Sequence, residues 1–395
     1  PFQDRKHLRF KPMPILPHPV FQQHSDFFDL IRQQEQLLFT PYQRFQYVID
    51  WIRQAADDQQ VTDITITVYR LAKQSLIIQE LIRASQLGKR VTVFIELKAR
   101  FDEAYNIQWF NKLENAGATV VYSMERLKVH CKILMITRQE GAISRRYAYF
   151  STGNFNEDTA RLYSDLGFFT ADEALIQEAE GIMQYIISDE KPDTFRELLV
   201  APFNLRQKLL DHIDTEIANA KAGKPAWIEL KVNGLQDPAI VNKLYEDSQA
   251  GVPVWIIARS ICSLMPGIPG ISDNIKIISL VDRLLEHARL YMFCNNAEPQ
   301  VYAGSADLMK RNLDRRIEQV FPIKDPALQK RIRYYYRLQW QDNQKARWID
   351  RDQQNFYKQD GQVPMRAQYA FYEYLKAELP EHTDPTQSSS TRASG

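Results

Sequence analysis

Two histidines carry most of the chemistry in this chain. His130 lies in Leu127-Lys128-Val129-His130-Cys131-Lys132 and His287 in Leu285-Glu286-His287-Ala288-Arg289, so each is followed at the second position by a basic residue. Apolar residues flank both, and in an extended strand residues i and i+2 share a face, which predicts that imidazole and cation point the same way. A neutral imidazole is nucleophilic near pH 7. A cation fixed beside it stabilises the charge on a phosphoryl group under attack. Two such pairs suggest one active site built between two related halves.

The rest of the pattern supports duplication. Ser85-Gln86-Leu87-Gly88 before Val91–Ile95 matches Ser248-Gln249-Ala250-Gly251 before Val254–Ile257, and each reads as a helix end, a glycine cap and a buried strand. Downstream of each histidine comes a small polar stretch, Ser151-Thr152-Gly153-Asn154 or Gly304-Ser305-Ala306-Asp307. Eleven residues beyond Asn154 stands Asp165, and eleven beyond Asp307 stands Glu318. Four ordered elements at similar spacing favour an internal repeat over chance. A carboxylate that accepts from one imidazole nitrogen fixes the tautomer and bares the other nitrogen. The repeat then pairs Asp165 with His130 and Glu318 with His287, though each carboxylate could face a histidine across the domain interface instead of within its own half; an ordinary surface carboxylate is the further alternative for each.

Several elements must position these residues. Pro12, Pro14, Pro17 and Pro19 keep the start extended, as a linker over 1–20 cut from a longer protein. Thr40-Pro41 reads as the cap of a helix whose apolar face is Phe45, Val48, Ile49 and Ile52. Strands are expected over 63–70, 91–97, 118–123, 127–137 and 147–152, with helices over 74–87, 106–116 and near 173–187. Pro192 and Pro202 bracket a boundary, a helix follows over 205–222, and the strand–helix–strand order restarts at Trp227. The fold class is therefore α/β, with one domain over 1–197, a second over 198–380 and a polar, disordered tail over 381–395.

Composition bounds the function. With 395 residues, 44% hydrophobic and 25% charged, the chain has room for two or three globular domains. Three cysteines, Cys131, Cys262 and Cys294, lack metal-type spacing and lie in apolar strands, which points to reduced thiols and the cytoplasm. No signal peptide stands out and no apolar run is long enough to span a bilayer. A net charge of +1 means that binding a polyanion relies on local clusters, such as Arg126, Lys128, Lys132, Arg138, Arg145, Arg146 and Arg161. Arg145 and Arg146 fit better as a solvated hairpin.

At Val68-Tyr69-Arg70-Leu71-Ala72-Lys73, Leu97-Lys98-Ala99-Arg100-Phe101-Asp102-Glu103, Leu127–Lys132, Thr152-Gly153-Asn154-Phe155-Asn156, Ile271-Ser272-Asp273-Asn274 and Leu285-Glu286-His287 the chain resembles a known family. It is similar to the catalytic C-terminal part of type 1 polyphosphate kinases. These are a branch of the phospholipase D-like superfamily in which tandem α/β domains share one active-site cleft. The resemblance runs to about Leu379. Members also carry an N-terminal domain that helps hold the nucleotide base and a helical domain used in dimerisation. The chain is thus expected to be part of a longer, homo-oligomeric protein, for which peripheral membrane association stays open. The resemblance implies reversible transfer of the ATP γ-phosphoryl group to inorganic polyphosphate, with Mg²⁺ as cofactor and no nucleic-acid partner. It implies His130 as phosphohistidine nucleophile beside Lys132, and His287 as acid/base or phosphate contact beside Arg289. Tyr163 and Arg259 fall at positions near ATP. Arg70 and Arg100, each expected at a strand end, fall at the magnesium-phosphate site; an arginine cannot ligate a cation, so they would grip phosphate oxygens whose other faces hold Mg²⁺. Lys310, Arg311, Arg315 and Arg316 are candidates to line the path of the chain product.

Two rivals remain. Phosphodiesterases of the phospholipase D type place an aspartate five positions after each lysine; here that position after Lys132 is Thr137, and Arg289 replaces the second lysine. The other is a polyanion-binding module without turnover.

Overall fold

The structure, a computed structural model, describes Phe10 and residues 13–69, 72, 74–96, 103–122, 127–192 and 194–380, with backbone alone for 103–107. Arg70, Arg100 and the 381–395 tail lie outside the described residues.

In chain order the first half contains α1 (Phe27–Gln33), β1 (Gln36–Thr40), α2 (Gln46–Asp57), β2 (Val61–Val68), α3 (Leu76–Gln86), β3 (Arg90–Ile95), α4 (Glu103–Asn115), β4 (Thr119–Tyr122), β5 (Lys128–Val129), β6 (Ile133–Glu140), β7 (Ile143–Ser151), β8 (Tyr163–Thr170) and α5 (Glu173–Ser188). The second half contains β9 (Leu199–Ala201), α6 (Leu205–Lys221), β10 (Ile228–Val232), α7 (Pro238–Gln249), β11 (Val254–Ala258), β12 (Ile275–Leu280), β13 (Leu285–Glu286), β14 (Arg289–Phe293), β15 (Gln300–Gly304), α8 (Lys310–Arg315), β16 (Arg316–Ile323), α9 (Pro326–Gln341), β17 (Ala346–Ile349) and α10 (Ala367–Ala377). Each half forms a mixed sheet. The first runs β1-β8-β7-β6-β2-β3-β4, the second β17-β12-β11-β10-β14-β15-β16, with β9 also on β16.

Strand alternation explains how the sheets are covered. On β6, Ile133 and Met135 enter one core while Leu134 and Ile136 enter another. On β14, Leu290 and Met292 join the first of these cores, and Tyr291 and Phe293 a third. The common core thus lies between the two sheets, where Phe321 of β16 stacks on Phe168 of β8 with centroids 5.6 Å apart. Helices α1 to α4 cover the other face of the first sheet and α6 and α7 that of the second, while α5, α9 and α10 join the common core. Their starts are encoded locally: Asp237 and Asp325 cap α7 and α9, each followed by proline in the first turn. The matched glycines Gly88 and Gly251 sit at φ +86° and +90°, the left-handed geometry that closes α3 and α7.

Two local expectations fail. Thr40 does not cap a helix. It ends β1, paired with Asp165 of β8, and α2 begins only at Gln46. The sheet takes the backbone that local chemistry offered to a cap. The expected single strand over 127–137 is two strands, β5 and β6, with His130, Cys131 and Lys132 in the break.

Candidate active site

The break follows from an exchange between the halves. β5 leaves the first sheet and pairs with β16, Lys128 opposite Arg316 and Val129 opposite Ile317. The Ile317 carbonyl then accepts from the N–H groups of both His130 and Cys131, at 2.9 Å each. The second half mirrors this. β13 pairs with β8, Leu285 opposite Tyr163 and Glu286 opposite Ser164, and the Ser164 carbonyl accepts from His287 and Ala288. Each histidine is therefore held against the strand that carries the other half's carboxylate.

That geometry corrects the expected pairing. His130 Nδ1 donates to Glu318 at 2.7 Å, and His287 Nδ1 faces both Asp165 oxygens at 2.9 Å. Asp165 does not face His130, and Glu318 does not face His287. The carboxylates are themselves fixed. Thr152 donates to Asp165 at 2.6 Å; Ser305 and Asn312 donate to Glu318 at 2.5 and 2.8 Å. A Cβ on Gly153 would collide with the Asp165 carboxylate, so a glycine is needed there.

With the proton on Nδ1 toward each carboxylate, Nε2 carries the lone pair. His287 Nε2 accepts from Arg289 Nη1 at 3.1 Å. His130 Nε2 has no hydrogen-bond partner among the described residues. The Tyr69 ring stands edge-on to His130 at 5.0 Å, and the Tyr163 ring lies 5.2 Å from His287. Lys132 is buried; its ammonium donates to the His130 carbonyl and its N–H to Gln319 at 3.1 Å. Arg289 is buried too, in an ion pair with Asp307 at 3.0 Å. Arg259 donates to Asn233 at 2.7 Å, and Asn233 donates to the His287 carbonyl at 3.1 Å. Arg316 stands 3.8 Å from Glu318, whereas Lys310 is an exposed partner of Asp314 at 3.9 Å.

Burial dominates the electrostatics. It pulls the His130 imidazole down to about 3, against the opposing pull of Glu318. It lowers His287 as well, against Asp165. Both rings are therefore neutral at pH 7. Burial also brings Lys132 down to about 7, helped by Arg289 and Arg316 and resisted by Glu318. Lys132 in turn lowers His287. The two halves thus share one electrostatic site.

Sequence reasoning missed Asn233, Asp307 and Gln319 as site residues. Asp307 lies inside the small polar stretch Gly304–Asp307, to which the sequence assigns no role. Gln319 follows Glu318 directly, and its amide nitrogen donates to the Ser151 carbonyl at 2.9 Å. Asn233 gives no signal beyond its place directly after β10.

Comparison with known proteins decides the lineage. Residues 26–192 match the family model "Polyphosphate kinase C-terminal domain 1", and residues 198–368 match "Polyphosphate kinase C-terminal domain 2". The chain belongs to the polyphosphate kinase family. Polyphosphate kinases of Vibrio vulnificus (strain YJ016) and Escherichia coli (strain K12) are each 45% identical to it, over 96% and 94% of the chain. The chain spans about half the length of these relatives, 54% in both cases. A crystal structure of polyphosphate kinase from Porphyromonas gingivalis superposes with a TM-score of 0.88 at 39% identity, covering 94% of this chain and 57% of that one. Phosphatidylserine synthase of Haemophilus influenzae, 12% identical with a TM-score of 0.57 over 88% of this chain and 94% of that one, shares the fold. The architecture is α/β, with two mixed sheets packed on a common core.

Among the described residues, no three His, Cys, Asp or Glu side chains come together as a metal cage. A magnesium ion here would have to take most of its ligands from a bound phosphate and water. Among the described residues no helix is long and apolar enough to cross a membrane.

Proposed function

We propose that this chain transfers the γ-phosphoryl group of ATP reversibly onto inorganic polyphosphate through a phosphohistidine on His130. The observation that carries the reading is the asymmetry of the two imidazoles. Glu318 holds the Nδ1 proton of His130 while its Nε2 has no partner among the described residues; the Nε2 lone pair of His287 is engaged by Arg289. In the proposed first step the His130 Nε2 lone pair attacks the γ-phosphorus. The bond from that phosphorus to the β,γ-bridging oxygen breaks, and ADP leaves with the electron pair. In the second step a terminal phosphate oxygen of the chain attacks the same phosphorus, and the nitrogen–phosphorus pair returns to the imidazole. ADP and polyphosphate leave as anions, so charge stabilisation matters more than proton donation. Lys132, Arg289 and His287 are assigned to that task, with Tyr163 and Arg259 toward the nucleotide. Asp165 and Glu318 orient the rings. Arg70 is assigned to the transferring phosphate by the family resemblance of the stretch Val68–Lys73. Magnesium would accompany the phosphates, gripped on other oxygens by Arg70 and Arg100.

The test is incubation with γ-labelled ATP and Mg²⁺. Acid-labile, alkali-stable label on the wild type, absent from His130→Ala, together with polyphosphate product, is the expected result. Release of p-nitrophenol from bis(p-nitrophenyl) phosphate without label would favour a phosphodiesterase instead. Polyphosphate binding without turnover would favour a polyanion-binding module.

A further inference from the structure

Behind His287 lies a closed polar cage that the proposed chemistry does not use. Lys231 of β10 and Glu286 of β13 are each only 2% exposed, with their charged ends 3.2 Å apart. Lys231 and Asn233 are two residues apart along an extended segment and so share a face. Lys231 Nζ donates to the Ala288 carbonyl at 3.1 Å, and Asn233 donates to the His287 carbonyl at 3.1 Å. Glu286 is gripped from the other side by the helices that follow the sheet. One oxygen accepts from the Tyr335 hydroxyl of α9 at 2.9 Å, the other from the Gln368 amide of α10 at 2.8 Å. The Tyr335 hydroxyl also meets Ser164 Oγ at 2.7 Å, and the Ser164 carbonyl receives the N–H groups of His287 and Ala288. Residues 286–288 are thus held by β8, β10, α9 and α10 together.

The first half does this differently. The Val68 carbonyl accepts from Glu96 as the Val232 carbonyl accepts from Arg259, so Thr67 stands where Lys231 stands. The Thr67 hydroxyl donates to the Cys131 carbonyl at 2.9 Å, a neutral version of the same contact. Val129 stands where Glu286 stands. A buried ion pair rarely stabilises a fold more than apolar packing of the same size. Lys231 and Glu286 have no charged counterparts at Thr67 and Val129, which points to a geometric task.

We infer that Lys231, Glu286 and Tyr335 are positioning residues for His287, through which α9 and α10 set the second imidazole independently of the first. For its activity readout the inference rests on the function proposed above; its spectroscopic readout does not. Tyr335→Phe removes one oxygen and keeps the ring packed on Phe39 and Phe371, at 5.7 and 4.8 Å. Histidine-selective ¹⁵N labelling should show the His287 ring resonances moved and those of His130 unmoved, with Tm nearly unchanged. The kcat for polyphosphate synthesis should fall about tenfold, as for second-layer partners of active groups, with the KM for ATP little changed. Glu286→Gln keeps the shape and removes the charge; it should move the same His287 resonances and shift the pH–rate profile. Unmoved His287 resonances in both variants overturn the inference, as does an equal displacement of both histidines. A wild-type chain that makes no polyphosphate would sink the proposed function, and the resonances would still decide the positioning role.

Discussion

His130 and His287 look alike in sequence and, among the described residues, differ in the engagement of one nitrogen. His130→Ala should lower polyphosphate synthesis by about 10⁴-fold or more, as loss of a covalent nucleophile does; near-normal turnover would remove the phosphohistidine from the mechanism. His287→Ala should be severe for turnover yet still accept label from ATP if His130 is the nucleophile. The crossed carboxylates sharpen this. Glu318→Gln should disturb formation of label on His130, whereas Asp165→Asn should act through His287, because those are the rings they touch. Label formation measured separately from chain elongation distinguishes the two. Arg70→Lys and Arg100→Lys should recover only part of the activity that alanine removes, since lysine lacks the planar two-donor fork; a loss of roughly 3–4 kcal/mol in transition-state stabilisation is expected for alanine. Full activity in either lysine variant would show that a point charge is enough.

At the scale of elements, the site depends on two dipeptide strands that change sheets. β5 and β13 each pair with the other half, and the histidine follows at once. The ladder fixes the register, and register decides which residue meets which carboxylate. Gly153 belongs to the same device. Gly153→Ala should push Asp165 out of line, with about 1–3 kcal/mol of destabilisation from overpacking and a larger proportional loss of turnover than of Tm. Wild-type turnover in a folded Gly153→Ala protein would mean that Asp165 need not hold its present place.

At the scale of the molecule, buried histidines set the response to acid. Burial holds His18 and His130 near about 3 and His212 near about 4, while the unfolded chain takes up these protons near the ordinary value of 6.5. Their folded pKa values are depressed, so between pH 4 and 6.5 the unfolded state binds more protons and stability rises with pH. Asp247 opposes this. Buried, with neither oxygen hydrogen-bonded among the described residues, it is raised to about 8, and the fold loses stability as pH climbs toward that value. Four lowered histidines, His287 among them, favour a rise between pH 5 and 6.5, while Asp247, Glu35, Glu216 and Glu229, all raised by burial, act against it. Urea midpoints at the two pH values check the balance; equal midpoints would show that the raised carboxyls cancel the imidazoles. Asp247→Asn should flatten the decline toward pH 8.

What the sequence determined by itself is what short-range patterns encode. Helix faces, glycine ends at Gly88 and Gly251, the repeat and the identity of the paired His-x-base motifs depend on residues a few positions apart, and the structure agrees with them. Family membership was legible for the same reason, in long runs such as Leu127–Lys132. What only the tertiary structure decided involves distant partners. Glu318 reaches His130 across 188 residues and Asp165 reaches His287 across 122, so spacing within one half pointed to the wrong ring. Thr40 joined a sheet because its partner at Asp165 outcompeted a local cap. Asn233, Asp307 and Gln319 became site residues through bonds that no local pattern predicts. A backbone N–H or a carboxylate must find a partner once buried, and which partner it finds is settled by how the two sheets pack.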